Sequence, residues 1–314
     1  MILTAEKKTV CKLLGAAFSV LHRTPGLKML ALHFDTHDIV ACVDYYGDEA
    51  MGDAAYTHQW DIVNAIWSNK NPLPNLQSLE FHGWLFASKS ASSFDEAPIA
   101  SWLAPSLRHL SISVPQRGVE GTENWESRTL FWRQFVVPRV LQSAVNLESL
   151  TIIRDRARDS DTQDLGLSQD GLPTYPRLAA LSLRNIVWEE GTVGEGNVVA
   201  PPPLEDFIVR HRKTLKKLEL RDCSIGIGIR SPLRCFWEDV FKRLAAALTE
   251  LVELEVKFKF ERYASLLAGR GFNDPSDHIF YIGMMADQDA PALEEFRAVV
   301  KNQGMGGGFE LNDG

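Results

Sequence analysis

Two five-residue phrases, Lys217-Leu218-Glu219-Leu220-Arg221 and Glu253-Leu254-Glu255-Val256-Lys257, alternate a charged side chain with an aliphatic one. In an extended chain this alternation sends the charges to one face and the aliphatic groups to the other. Arg184 ends a similar but shorter phrase. If the three strands pair in parallel at about 4.8 Å, Arg184, Arg221 and Lys257 make a basic row and Glu219 and Glu255 an acidic row beside it. Two outcomes stay open. The rows can neutralise each other on a solvated surface, or they can form a docking stripe for a peptide of complementary charge. On the second outcome, reversing Arg221 to Glu abolishes capture and leaves the protein folded.

His82 and His109 belong to the same set of outward positions on earlier strands, where they read as surface residues of a binding face and not as an acid–base pair. His33 and His37, with Asp35 and Asp38 nearby, have the residue types of a metal site. Spacing of four gathers ligands on a helix, whereas this segment leaves a strand for a loop, so an exposed polar loop is the expectation and no metal or cofactor is implied. Arg210, His211, Arg212, Lys213, Lys216 and Lys217 form the densest basic run. It lacks interleaved aromatic residues for stacking on bases, and a helix C-terminus favours cations there. The chain has no G-x-S-x-G, no glycine-rich phosphate loop followed by Lys, no H-E-x-x-H and no G-x-G-x-x-G. The expectation is a non-enzymatic protein, with a dispersed-site enzyme as the remote alternative.

The elements that must position these charges announce themselves by repetition. An L-x-x-L-x-L phrase begins at residues 27, 76, 107, 147, 178, 215 and 251, its third apolar position sometimes Phe, Ile or Val. Such a phrase, recurring with helical sequence between copies, marks a leucine-rich solenoid. Helices are expected over 8–22, 57–68, 128–143, 204–213 and 235–249, the first with Leu13 on its buried side. The copies start 31 to 49 residues apart, against roughly 20 to 29 for the usual leucine-rich period. The excess must leave as loops, expected at 35–53, 87–100, 115–124, 155–174 and 189–203. The charged stretch 154–164 reads as a solvated connection. The outward residues differ along the chain: Ser78, Ser111, Ser113, Ser149, Thr151 and Ser182 leave room for a ligand, whereas the last strands are crowded with charge.

At 314 residues and 45% hydrophobic content, the chain can bury a large core in one elongated domain. A net charge of -8 argues against nucleic acid as the main partner. Cys11, Cys42, Cys223 and Cys235 are scattered and form no C-x-x-C pair, which fits reduced thiols in the cytoplasm or nucleus. Lysines break up the apolar residues of the first helix, so it does not read as a signal peptide. No stretch reaches the roughly 18 apolar residues of a membrane span.

Helical sequence, a Pro-containing lead-in and then L-x-x-L-x-L occur at Thr24-Pro25-Gly26-Leu27, Leu73-Pro74-Asn75-Leu76, Ala104-Pro105-Ser106-Leu107 and Tyr175-Pro176-Arg177-Leu178. Over about residues 8 to 260 this resembles the leucine-rich region of fungal F-box-type proteins. The resemblance implies a region that captures a protein target, while a separate F-box would bind the adaptor of a cullin-type ubiquitin ligase. The chain departs from that pattern at its start, where no L-P-x-E-[IL] phrase occurs. The expected fold is therefore α/β: an irregular right-handed leucine-rich-repeat solenoid over 1–303, with a curved parallel sheet and outer helices, and a flexible tail at 304–314. The expected function is recognition of a protein target by the concave face through Arg184, Lys217, Glu219, Arg221, Glu253, Glu255, Lys257, His82 and His109. The alternative is a substrate receptor of a ubiquitin ligase, with the ligase adaptor as a partner by resemblance.

Overall fold

In nearly every copy of the phrase the first leucine closes a turn. The amides of Leu27, Leu76, Leu147, Leu178 and Leu251 donate to the carbonyls of Thr24, Leu73, Ala144, Tyr175 and Leu248, three residues earlier, and Leu215 donates to His211. Pro25 and Pro176 occupy the second position of their turns, where a fixed φ near -65° is already correct. The chain then extends. At the start of five of the strands one carbonyl accepts two consecutive amides from the next copy: Lys28 from Gln77 and Ser78, Gln77 from Arg108 and His109, Glu148 from Ala179 and Ala180, Ala179 from Lys216 and Lys217, and Lys216 from Val252 and Glu253. The repetition seen in the sequence is thus a repetition of hydrogen bonds.

The computed structural model describes residues 20–34, 73, 75–83, 106–115, 140–155, 172–188, 203–227, 236–258, 263–265 and 276–306, together with positions 13, 16, 17, 59 and 136. The expected loops at 35–53 and 87–100, most of those at 115–124, 155–174 and 189–203, and the tail beyond residue 306 lie outside the described residues; Pro115 and Asp155 end strands and Pro203 begins a helix instead. Seven strands come from the seven phrases: β1 (Met29–His33), β2 (Ser78–His82), β3 (His109–Pro115), β4 (Ser149–Asp155), β5 (Ala180–Arg184), β7 (Lys217–Arg221) and β9 (Glu253–Lys257). They form one sheet in chain order, β1-β2-β3-β4-β5-β7-β9. The pairings β1–β2, β2–β3, β5–β7 and β7–β9 are all parallel. The fold is α/β with a seven-stranded parallel sheet.

The chain divides into two compact units, residues 1–147 with 152–157, and residues 148–151 with 158–314. In the first unit, Leu79, Phe81, Leu110, Ile112 and Val114 are buried, and alternate residues of β2 are half-buried. On β1, Leu30 and Leu32 are only half-buried among exposed neighbours. Leu13 is 65% exposed, so it does not face a core as its helical spacing suggested. Arg154, the first residue of the solvated connection expected at 154–164, belongs instead to β4 and is buried, while residues 156–164 lie outside the described residues. Its place in the alternation puts it on the side of Leu150 and Ile152.

In the second unit, helix α1 (Pro203–Arg210) and helix α2 (Trp237–Ala247) stand where helical spacing indicated, but α1 stops at Arg210 and residues 211–214 turn into β7. Two features were not expected. One is a second, three-stranded parallel sheet made by β6 (Val187–Trp188), β8 (Ser224–Ile227) and β10 (Tyr263–Ser265), in the order β10-β8-β6. The chain reaches β6 and β8 by corners at Asn185 and Asp222, whose φ of 57° and 53° are left-handed. Asn and Asp tolerate that region better than most residues. Gly83 holds the same position after β2, with φ 70°. The other feature is helix α3 (Ser276–Gly306), which runs past residue 303 into the stretch expected as a flexible tail.

Helix α3 packs Leu293, Phe296 and Val300 into the unit. Its buried Asp289 accepts the Glu238 amide at 3.1 Å through Oδ1. That bond caps α2, whose own N-cap residue, Phe236, supplies no side-chain bond. Glu205 joins α1 to α2 through a bidentate pair with Arg243, at 2.5 and 2.8 Å.

Candidate recognition face

The outward side of β5, β7 and β9 carries the charges that the alternation predicted. Leu181, Leu183, Leu218, Leu220 and Val256 are buried, and each full burial of such a side chain contributes about 1.5–3 kcal/mol. This apolar floor fixes the strands. Register then fixes the charges: Arg184 stands opposite Arg221 and Arg221 opposite Lys257, while Ser182 faces Glu219 and Glu219 faces Glu255. Both anticipated rows exist.

The side chains resolve the repulsion within each row by crossing between rows. Glu219 pairs with Arg184 and with Arg221, each at 3.0 Å. Glu255 pairs with Arg221 at 2.8 Å and with Lys257 at 2.5 Å. The result is a zigzag of five charges, Arg184, Glu219, Arg221, Glu255 and Lys257, in which every neighbour is opposite in sign. Lys217 and Glu253 form a separate pair at 2.7 Å, at the start of their strands.

Glu219 is the anchor. Its side chain is only 7% exposed, against 34% for Arg184 and 38% for Arg221. Burial by itself would raise its pKa, but hydrogen bonds from Arg184 and Ser182, with the charges of Arg184 and Arg221, outweigh burial and hold the carboxyl below its ordinary range. The Ser182 hydroxyl donates to Oε2 at 2.8 Å. A carboxylate held this firmly ionised is a poor proton acceptor, so Ser182 beside it is a positioned hydroxyl and not an activated nucleophile. At the other end of the zigzag, hydrogen bonds from Lys257 and Arg221 hold Glu255 below its ordinary range. Glu219 Oε1 and Arg221 Nε are buried and make no hydrogen bond, although Oε1 lies in ion-pair range of Arg221 Nη2. The joint between these two residues is the least satisfied point of the array.

His82 and His109 lie elsewhere, in the first unit. They occupy neighbouring strands but not neighbouring positions: His109 stands opposite Ser78, at the far end of β2 from His82. Four residues of strand amount to about 13 Å. His82 instead stacks on His33, its partner in register, with ring centroids 4.3 Å apart, and its Nε2 lies 3.1 Å from Glu80 Oε2. The β1 pairing that made this contact could have been read from the same alternation that placed Arg221. Of the His33 group, His37, Asp35 and Asp38 lie outside the described residues. Among the described residues no group of three or more His, Cys, Asp or Glu is arranged to hold a metal ion, and no helix is long and apolar enough to cross a membrane.

Two buried groups of the second unit escaped sequence reasoning. His211, read as one more cation of the basic run, is buried between α1 and the turn before β5. Its Nε2 accepts the Tyr175 amide at 2.8 Å, leaving Nδ1 to donate to the Phe207 carbonyl at 2.7 Å. This is the neutral tautomer. Burial, reinforced by the charge of Arg210, lowers its pKa even though the Phe207 bond works the other way. Cys223 lies under the β7 corner, where its thiol donates to the Leu183 carbonyl at 3.4 Å and burial pushes its pKa up to about 12. It is a packing group and not a reactive thiolate.

No protein family, curated protein or solved structure matches this chain.

Proposed function

We propose that the chain is a leucine-rich-repeat solenoid that captures a protein target on the outward face of its parallel sheet, by recognition and without chemistry. The zigzag of Arg184, Glu219, Arg221, Glu255 and Lys257 is the observation that carries this reading. Its five charges are fixed in register by a buried floor and sum to +1 on a chain of net charge -8. Half-exposed ion pairs contribute about 0–1 kcal/mol each to stability. Their value to the fold is small, whereas a fixed alternation of sign discriminates strongly among partners and registers. The fitting ligand is an extended, predominantly acidic segment of alternating charge. It engages the two terminal cations first and then replaces the incomplete contact between Glu219 Oε1 and Arg221 Nε. The doubled carbonyl acceptors and equivalent corners support the repeat reading, because one local geometry recurs in copy after copy.

Arg221→Glu is a poor probe, since it would set three carboxylates together and strain the fold as well as the face. Lys257→Glu combined with Arg184→Gln removes both terminal cations and leaves Arg221 between its two glutamates. Affinity capture from the native cell with this double variant is expected to lose the targets held by the wild-type chain, while its thermal midpoint falls by no more than a few degrees, because Glu219 keeps Arg221 and Ser182. Unchanged capture overturns the proposal. Recovery of a ubiquitin-ligase adaptor and cullin with the wild-type chain would assign the captured target to ubiquitin transfer, which the resemblance to F-box-type proteins suggests.

A further inference from the structure

The basic run that follows α1 contains more than helix-capping charge. Thr174, Tyr175, Pro176, Arg210, Arg212, Lys213 and Thr214 line a pocket of about 270 Å³ at the turn leading into β7. Its cations are not equivalent. Arg210 is committed: its Nε pairs with Asp206 at 3.0 Å, its Nη1 donates to Thr174 Oγ1 at 3.1 Å, and its guanidinium lies 5.7 Å from the centre of the Phe207 ring. Arg212 and Lys213 are exposed and form no ion pair among the described residues. Lys216, two residues beyond the pocket, is paired with Glu250 at 2.6 Å.

Capping of α1 accounts for only part of this charge. The partial charge of a helix C-terminus is about -0.5, and Asp206 supplies one full negative charge. Against these stand three cations, which leaves the pocket clearly positive in a chain whose net charge is -8. The walls are also rigid. Tyr175 and His211 are tied by the 2.8 Å bond and stacked at 5.9 Å, and Phe207 packs edge-on to Tyr175 at 6.2 Å. The Thr174 hydroxyl accepts from Arg210 Nη1 and keeps its own proton to donate, whereas the Thr214 hydroxyl donates to the His211 carbonyl at 3.3 Å.

We infer that this pocket is an anion site for a phosphoryl group, either inorganic phosphate or a phosphomonoester. Arg212 and Lys213 are the residues that bind it, and Arg210 and Thr174 form a pre-organised wall. A dianion with three acceptor oxygens uses two free cations and the neighbouring Thr174 hydroxyl better than a monovalent carboxylate does. This site does not depend on the recognition face, and either can fail without the other.

Amide NMR titration of the full chain tests it with three probes: inorganic phosphate, a phosphoserine peptide and the same peptide unphosphorylated. Expected are saturable shifts at Thr174, Lys213 and Thr214 with phosphate and with the phosphopeptide, and none with the unmodified peptide. Arg212→Gln with Lys213→Gln should weaken binding about tenfold or more, while Arg212→Lys retains most of it. Shifts with phosphate and not with the phosphopeptide would assign the site to the free ion, and tighter binding of the phosphopeptide would assign it to a modified protein. Non-saturating shifts that chloride reproduces at equal ionic strength, or full affinity in the double Gln variant, overturn the inference.

Discussion

The outward faces of β2 and β7 are built on the same leucine frame and carry opposite kinds of surface. On β2, Ser78, Glu80 and His82 are all half-buried, and the side-chain hydrogen bond among them joins His82 to Glu80 two residues away on the same strand. On β7, the ion pairs of Lys217, Glu219 and Arg221 reach both neighbouring strands. The inward positions are apolar and buried on both strands, Leu79 and Phe81 on β2 and Leu218 and Leu220 on β7, whereas the outward positions differ in kind. What holds the sheet together and what gives a face its identity are therefore separate sets of residues, interleaved one by one along each strand.

The largest effect should come from the frame. Leu218→Ala, at a fully buried position of β7, is expected to cost about 2–5 kcal/mol in chemical denaturation. Leu32→Ala, at a half-buried position of β1, should cost less than half of that. Equal losses would mean that the two strands are buried alike in solution, and the contrast would fail.

Next comes the anchor of the charged face. Glu219→Gln keeps an acceptor for Ser182 but strips the charge from between two arginines; screening through those half-exposed groups leaves an expected cost of about 1 kcal/mol. Glu80→Gln on β2 should leave the denaturation midpoint unchanged. A cost at Glu80 as large as that at Glu219 would show that cross-strand pairing adds nothing over a contact along one strand.

The acid response should separate two buried groups by pH. His211 is neutral in the fold with a lowered pKa, so the unfolded chain takes up its proton first. Stability is complete above about pH 6.5 and falls as pH drops below that value, by at most about 1.4 kcal/mol per pH unit for one group. Glu219 has its folded pKa lowered, so its contribution is present above the ordinary carboxyl range and is lost only as pH falls through its folded value. Urea midpoints measured across this range should show two steps, and His211→Gln should remove the upper one. Persistence of the upper step in that variant would place its origin elsewhere. The smallest effect is expected at Lys217→Ala: its pair with Glu253 is exposed, and the midpoint should not move.

Much of the sheet was legible in the sequence, because a period of two with leucine at fixed places leaves few options for where a strand starts and which side chains point outward. The pairing of Arg184, Arg221 and Lys257 follows from that pattern alone. The burial of Glu219 does not, since it depends on Ser182 and two arginines closing over a carboxylate from adjacent strands. The second sheet was hidden for another reason: Val187–Trp188 and Ser224–Ile227 are too short to show a period. Their signal was the Asn185 that follows β5 and the Asp222 that follows β7. Helix α3 was obscured by Pro291 and by Gly283 within it, and it is held by packing of Phe296 and by the Asp289 bond to α2 more than by its own propensity. His211 looked like a surface cation because its neighbours are, and only the Tyr175 amide shows that it is an internal strut.

The carbonyl that receives two amides from the following copy gives the chain a direction of assembly. A strand start of this kind offers its neighbour a ready docking point, so a copy that has formed lowers the entropy lost in forming the next. Order should then spread from copy to copy along the sheet, as in a zipper, and not condense everywhere at once. Hydrogen exchange would show this as protection graded by position, with β7, bonded through such carbonyls to β5 before it and β9 after it, among the last strands to open.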